Sequence, residues 1–292
     1  MTDRIGVIGL GVMGSAMARN LIAAGLPVLG YDIDAEKRRA FAETGGAEAV
    51  SARAVAAEAD LIVFSLPTIA ALAEVVEQVA AGGADRGLVC LEAGTFPLQA
   101  KLEARDALAA AGVDLLDTPL SGTGLQAADA TLVVFASGSR DGFERARPVF
   151  DAIGRSTHYL GEFGNGSKMK YVANLLVAVH GLAAAEAHVL GIAAGLDPAV
   201  VQAVMEDGVG SSKIFEIRGP MMVADSYEPA ARLDILLKDA TLITDYARSV
   251  GAPTPLLDAA LPVYRASSES GLGGLDAAAL CRYLEDAAGI ER

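Results

Sequence analysis

Short apolar runs alternate with longer amphipathic stretches through the first half of the chain, and the alternation stops near residue 160. Apolar runs suited to strands fall at Ile5–Ile8, Val28–Tyr31, Leu61–Leu66, Leu88–Leu91, Val113–Leu116 and Leu132–Ala136. Alanine-rich stretches with helical spacing lie between the early runs, as at Ser15–Ala24 and Ile69–Ala80. Strands alternating with helices of roughly 10–15 residues predict a parallel sheet with right-handed crossovers.

After Gly161 the pattern changes. Asn165 or Ser167 can cap a helix predicted to run to about Ala194, where "GLDP" interrupts it. Pro198 suits the start of the next helix. The stretch from Ala231 to Gly251 again shows apolar residues at helical spacing, and no strand is predicted in this half. The expected organisation is an α/β domain over residues 1–162 and an all-α domain over residues 163–292, joined through the long helix without a Pro/Ser-rich linker.

Composition narrows the classes. The chain has 292 residues, 52% of them apolar, which is enough for a substantial core and argues against disorder. The net charge is -14, with 13 Lys+Arg against 20 Asp+Glu up to residue 160 and 10 against 17 beyond it. Neither half is a basic module, so nucleic acid is not an expected partner. Cys90 and Cys281 form no C-x-x-C and imply no disulfide framework or thiolate metal site. His158, His180 and His188 lack metal-ligand spacing, so no metal is expected. The N-terminus lacks a signal-peptide layout, and polar residues interrupt the apolar stretch Tyr171–Leu196. A cytoplasmic protein without a membrane span is expected.

The stretch "RIGVIGLGVMGSAMARNLIAAG" contains Gly9-x-Gly11-x-x-Gly14 between a predicted strand and a predicted helix. In that context Gly9 permits the tight turn, Gly11 admits a pyrophosphate to the backbone, and Gly14 lets helix and strand pack closely. The helix N-terminus supplies N–H groups to the phosphates. Asp32 lies 18 residues past Gly14, where an acid accepts from the ribose 2′-OH and repels a 2′-phosphate. NAD is therefore expected over NADP, which Lys37, Arg38 and Arg39 keep open.

Four blocks in order identify a family. "GLGVMGSAMARNL", "DTPLSGTGLQAADATLVVFASG", "GNGSKMKYVANLL" and "LLKDATL" together resemble the β-hydroxyacid dehydrogenases, the group of 3-hydroxyisobutyrate dehydrogenase, tartronate semialdehyde reductase and L-threonate dehydrogenase. The resemblance implies a Rossmann-type doubly wound parallel sheet followed by an all-α C-terminal domain. It also implies reversible NAD(P)-dependent oxidation of a β-hydroxy acid, 3-hydroxyisobutyrate-like, to the semialdehyde or keto acid. It places Gly9, Leu10, Gly11, Met13, Gly14, Asp32, Leu66, Pro67, Thr95 and Lys238 on the cofactor. Ser121, Gly122 and Thr123 match its substrate-binding S-G-G, with Thr123 in place of the second glycine. Thr123 is expected either to narrow the pocket or to add a hydroxyl contact.

The resemblance assigns the catalytic lysine to Lys170 and its partner asparagine to Asn174, with Ala173 where the family has a further asparagine. Helical phase supports the pairing: residues four apart lie about 40° apart around the axis, whereas Lys168 and Asn174 lie about 120° apart. Lys168 is therefore read as a solvated charge. His188 is read as a packed or interface residue, and Glu206, Asp207, Glu285 and Asp286 as solvated.

Alternatives are an NADPH-dependent semialdehyde or glyoxylate reductase, an imine reductase, which usually carries Asp or Tyr at the Lys170 position, and a cofactor-binding sensor. The apolar long helix and α-domain predict a homodimer or homotetramer.

Overall fold

A computed structural model describes residues 3–291. The chain divides into two compact units, residues 1–170 and 171–292.

The first unit opens with β1 (Ile5–Ile8), α1 (Val12–Ala23), β2 (Val28–Tyr31), α2 (Ala35–Glu43), β3 (Ala47–Glu48), α3 (Ala52–Glu58) and β4 (Leu61–Phe64). It continues with α4 (Ile69–Gly83), β5 (Val89–Glu92), α5 (Leu98–Ala109) and β6 (Asp114–Asp117). These six strands form one parallel sheet in the order β3-β2-β1-β4-β5-β6. β1, β4 and β5 are buried on both faces, which is why they read as continuous apolar runs. The strand order reverses between β1 and β4, so the ligand crevice of such a sheet is expected beyond these strands' carboxyl ends.

The expected strand at Leu132–Ala136 exists as β8 but does not join the parallel sheet. β7 (Leu120–Ser121), α6 (Gly124–Ala128), β8 (Leu132–Ala136), α7 (Arg140–Ile153) and β9 (Gly154–Tyr159) follow β6, and β7-β8-β9 form a separate three-stranded sheet. β8 pairs antiparallel with β7 and parallel with β9. A bridge between Asp117 and Ser137 ties its end to β6. The sixth place in the parallel sheet belongs instead to β3, two exposed residues with no apolar signal. β9 escapes a pattern reading because "GRSTHY" is mostly polar and only partly buried.

α8 (Asn165–Ala193) begins in the first unit and continues into the second, in close agreement with the expected span. Among the described residues it is the single helix long and apolar enough to cross a membrane. Its Tyr171, Ala178, Leu182, Ala184 and Ala185 instead pack in the core of the second unit. α9 (Pro198–Asp207), α10 (Lys213–Val223), α11 (Leu233–Ser249), α12 (Pro255–Ser267) and α13 (Leu280–Ala288) complete an all-helical unit. Phe215, Leu233, Leu236, Ile243 and Tyr264 converge there around α8. A buried Arg218–Asp276 pair (3.2 Å) ties α10 to the segment before α13.

Candidate functional site

The glycine turn after β1 is built by three different constraints. Gly9 has φ +92°, and a Cβ there would collide with the Ser65 carbonyl, its carbon at 2.9 Å. At Gly14 a Cβ would collide with the Gly9 carbonyl and lie 3.2 Å from Ser65 Cβ, so the helix and two strand ends could not close up. Gly11 is unlike both. Its φ of -71° suits any residue, and a Cβ would meet nothing within 4 Å. Neither its dihedral angle nor its surroundings in the chain demand a glycine, whereas close approach of a pyrophosphate to the N-terminus of α1 does. No side chain caps that end, so its N–H groups are available to a phosphate. The cradle fits the dinucleotide expected from the sequence.

Asp32, at the carboxyl end of β2, is 7% exposed. Its Oδ2 accepts the Leu10 N–H at 2.8 Å and its Oδ1 the Asp34 N–H at 2.9 Å. The carboxylate thus braces the glycine turn and retains lone pairs for a diol. Lys37 Nζ stands 3.9 Å from Oδ2. Arg38 is committed elsewhere, donating to the Asp32 backbone carbonyl (2.8 Å) and to Glu48 (2.8 Å). Leu66 and Pro67 follow β4, and Leu66 Cδ2 would lie 3.5 Å from a Cβ at Gly9. Thr95 follows β5, and Met13 lies in the first turn of α1.

Ser121 ends β7, and Gly122 has φ +142°, where a side chain is strained. Thr123 caps α6: its hydroxyl donates to Gln126 Oε1 (2.5 Å) and accepts the Leu125 N–H (3.3 Å). Its backbone N–H also donates to Gln126 Oε1 (2.8 Å). Both donors of Thr123 are therefore consumed within a capping box. Gly124 lies against Val12, 2.9 Å from its Cγ1 to a Cβ there, and Asn20 bonds the Ala127 carbonyl (2.6 Å), so the candidate substrate loop packs on the phosphate-binding helix.

On α8, Lys168 is exposed and bonds Asn165 Oδ1 (3.0 Å), consistent with a solvated charge. Lys170 and Asn174 are each 9% exposed. In the second unit, Asn174 Nδ2 donates to Asp239 Oδ2 (2.8 Å), which fixes the amide's orientation. Lys238 Nζ pairs with Asp239 Oδ1 (2.9 Å) and is half-exposed.

Residues 4–161 match the family described as the NAD binding domain of 6-phosphogluconate dehydrogenase, and residues 164–284 that described as the NAD-binding domain of NADP-dependent 3-hydroxyisobutyrate dehydrogenase. An L-threonate dehydrogenase of Cupriavidus necator is 33% identical over 289 residues, covering 97% of this chain and 96% of its own. The chain belongs to the β-hydroxyacid dehydrogenase family. It is an NAD(P)-dependent hydroxyacid dehydrogenase. The chloroplastic glyoxylate/succinic semialdehyde reductase 2 of Arabidopsis thaliana is 32% identical to it, covering 98% of this chain and 80% of its own. The 3-hydroxyisobutyrate dehydrogenase of Salmonella typhimurium superposes with a TM-score of 0.88 at 32% identity, covering 96% of this chain and 99% of that one.

Four polar residues of this family member escaped sequence reasoning. Lys101, Glu92 and Asp117 are fully buried in the first unit, and Asp239 is buried beside Asn174. A signal existed for the first three. Lys101 shares the buried face of α5 with Ala104 and Leu108, three and seven residues on. Glu92 closes an apolar strand, and Asp117 opens the "DTPLSG" block. Glu285, expected to be solvated, is 4% exposed. It sits on the buried face of α13 one turn past Cys281, whose Sγ lies 3.5 Å from Oε1. His188 is packed as expected, stacked on Phe215 and 2.9 Å from Gln202 Oε1. Among the described residues no group of three or more potential ligands could hold a metal ion.

Proposed function

We propose that this dehydrogenase oxidises a β-hydroxy acid of the 3-hydroxyisobutyrate or threonate kind, with Lys170 as the general acid/base. The observation that carries the reading is a buried lysine and a buried, oriented asparagine four residues apart on one helix. A nicotinamide cofactor held by the glycine turn would supply the hydride acceptor for oxidation and the hydride donor for reduction. Lys170 Nζ takes the hydroxyl proton as the carbonyl forms, and its ammonium returns that proton to oxygen in the reverse direction. Asn174, held by Asp239, orients the substrate oxygen. Ser121 and the Gly122 N–H receive the carboxylate, while Thr123 shapes the loop through its cap rather than by offering a donor.

We assign Gly9, Leu10, Gly11, Met13 and Gly14 to the pyrophosphate, and Leu66, Pro67 and Thr95 to the nicotinamide side. Lys238 is assigned to the cofactor by its place in the "LLKDATL" block. NAD is preferred over NADP because Asp32 is an acid at the ribose position and Arg38 is already engaged. The functional division falls at residues 162/163, the enzyme is cytoplasmic, and it is a homodimer or homotetramer. Exposed Val172, Leu176 and Leu190 on α8, with Val200 and Val204 on α9, supply apolar surface for such pairing.

A second reading, reduction of a semialdehyde or glyoxylate, is favoured by the Arabidopsis relative's name. Assay of 3-hydroxyisobutyrate, L-threonate, glycerate and 3-hydroxypropionate with NAD and NADP, and of succinic semialdehyde and glyoxylate with the reduced cofactors, separates them. No turnover of any hydroxy acid, alongside rapid semialdehyde reduction, would reject the oxidative assignment.

A further inference from the structure

A fully buried lysine that no step of the chemistry uses lies at the junction of three segments of the first unit. Lys101 Nζ contacts Glu92 Oε2 at 2.5 Å, Asp117 Oδ1 at 2.8 Å and the Gly94 carbonyl at 2.7 Å, which accounts for its three donors. Glu92 Oε1 in turn accepts the Gly94 N–H at 2.8 Å. Asp117 reaches the start of α8, where its Oδ2 accepts the Ser167 N–H (2.7 Å) and its Oδ1 the Ser167 hydroxyl (2.8 Å). Beside it, Ser137 Oγ accepts the Gly166 N–H at 2.9 Å. Two of the first N–H groups of α8 are thus received by residues at the ends of β6 and β8, in place of a cap from the helix's own sequence.

Each segment that converges on Lys101 carries an assigned residue. Gly94 precedes Thr95, Asp117 lies four residues before Ser121, and Ser167 lies one helical turn before Lys170. Burial alone would push the Lys101 ammonium towards neutrality, but the two carboxylates outweigh it and hold the group above the ordinary lysine range. Burial pushes the Glu92 carboxyl up, and Lys101 offsets only part of that. A buried ion cluster seldom stabilises a fold more than apolar packing of the same shape would. What it supplies is directional geometry: any rotation of α8 about its first turn breaks bonds that cannot be remade with water.

We propose that Lys101, Glu92, Asp117 and Ser167 are positioning residues that hold the first turn of α8, and with it the Lys170 amine, in register with the loops bearing Thr95 and Ser121; the catalytic part of this inference rests on the reading of Lys170 as the acid/base group. Replacing Lys101 leaves two buried carboxylates facing each other and endangers folding, so Ser167→Ala is the variant of choice. It removes one side-chain bond to Asp117 and keeps the backbone one. The deciding readout needs no turnover. Lysines of the intact protein are labelled with acetic anhydride, and the ratio of Lys170 to Lys168 labelling is read by peptide mass spectrometry.

The expected result is a ratio raised by at least about threefold in Ser167→Ala, as loosening of the first turn exposes Lys170, with kcat about tenfold lower and the KM for NAD unchanged. Ser167→Thr, which keeps the hydroxyl, restores the wild-type ratio. A wild-type ratio in Ser167→Ala, with only the melting temperature lowered, overturns the proposal. Failure of the catalytic reading is distinguishable, because it would appear as a near-wild-type kcat in Lys170→Ala whatever the labelling ratio does.

Discussion

Replacing Gly11 by alanine should damage cofactor binding while sparing the fold. At φ -71° and ψ -165° the backbone accepts an alanine, and its Cβ would meet no atom within 4 Å. Fewer unfolded conformations favour the variant by about 0.4–1 kcal/mol. Loss of glycine at an N-cap position costs a similar amount. The net change stays within about 1 kcal/mol, or a melting shift of no more than ~4 °C for a chain of this size. The methyl group does occupy the space through which a pyrophosphate reaches the α1 N–H groups. Losing one hydrogen bond to a charged oxygen costs about 1.5–3 kcal/mol, so the Kd for NAD should rise roughly 10- to 150-fold. Gly14→Ala is the contrasting variant. Its Cβ would sit 3.0 Å from the Gly9 carbonyl carbon and closer still to the oxygen. Overpacking of that kind costs about 1–3 kcal/mol, and should appear as a lower melting temperature. Calorimetric titration with NAD and thermal unfolding of both variants provide the assay. An unchanged Kd in a folded Gly11→Ala protein would refute the placement of the phosphates.

Two further perturbations address cofactor choice and the second unit. Asp32→Asn keeps a shape that can accept from Leu10 but removes the negative charge, so the ratio of kcat/KM for NAD over NADP should fall by about tenfold or more; an unchanged ratio would remove Asp32 from cofactor selection. Burial pushes the Tyr264 phenol up to about 12. The unfolded chain therefore loses this proton at lower pH than the folded one, and stability falls as pH rises from about 10 to 12, by about 3 kcal/mol from this group. Tyr264→Phe loses the bond to the Ala178 carbonyl, about 1 kcal/mol at neutral pH, but should flatten that alkaline decline in urea unfolding; an equally steep decline would place its origin elsewhere.

How much of this was legible follows from which signals are local. β1, β4 and β5 were readable to within a residue or two because burial on both faces makes them nearly continuous apolar runs, and β2 and β6 because short apolar stretches at Val28–Leu29 and Leu115–Leu116 mark them. α8 was readable because polar residues and a glycine bound a long apolar stretch. β3 and β9 were not, since their pairing is set by tertiary neighbours rather than by side-chain pattern. Gly11 could be recognised because its constraint comes from a ligand that a short motif encodes. Thr123 could be located but its part could not, because the decisive partner is Gln126 and the competing outcome was a helix cap. The Lys101 cluster was hidden for another reason: its members are 9 and 16 residues from Lys101, and Ser167 is 50 from Asp117, so nothing local shows that these polar residues meet.

The proposed role of Lys170 is to move the proton in hydroxy-acid oxidation. It is tested most directly by Lys170→Ala, compared with wild type for kcat on the best hydroxy acid of the panel and for NAD affinity by titration. The expected result is a kcat at least about 100-fold lower, in line with loss of a general acid/base, with the Kd for NAD changed less than about threefold. A kcat within about threefold of wild type, with NAD binding intact, would contradict it.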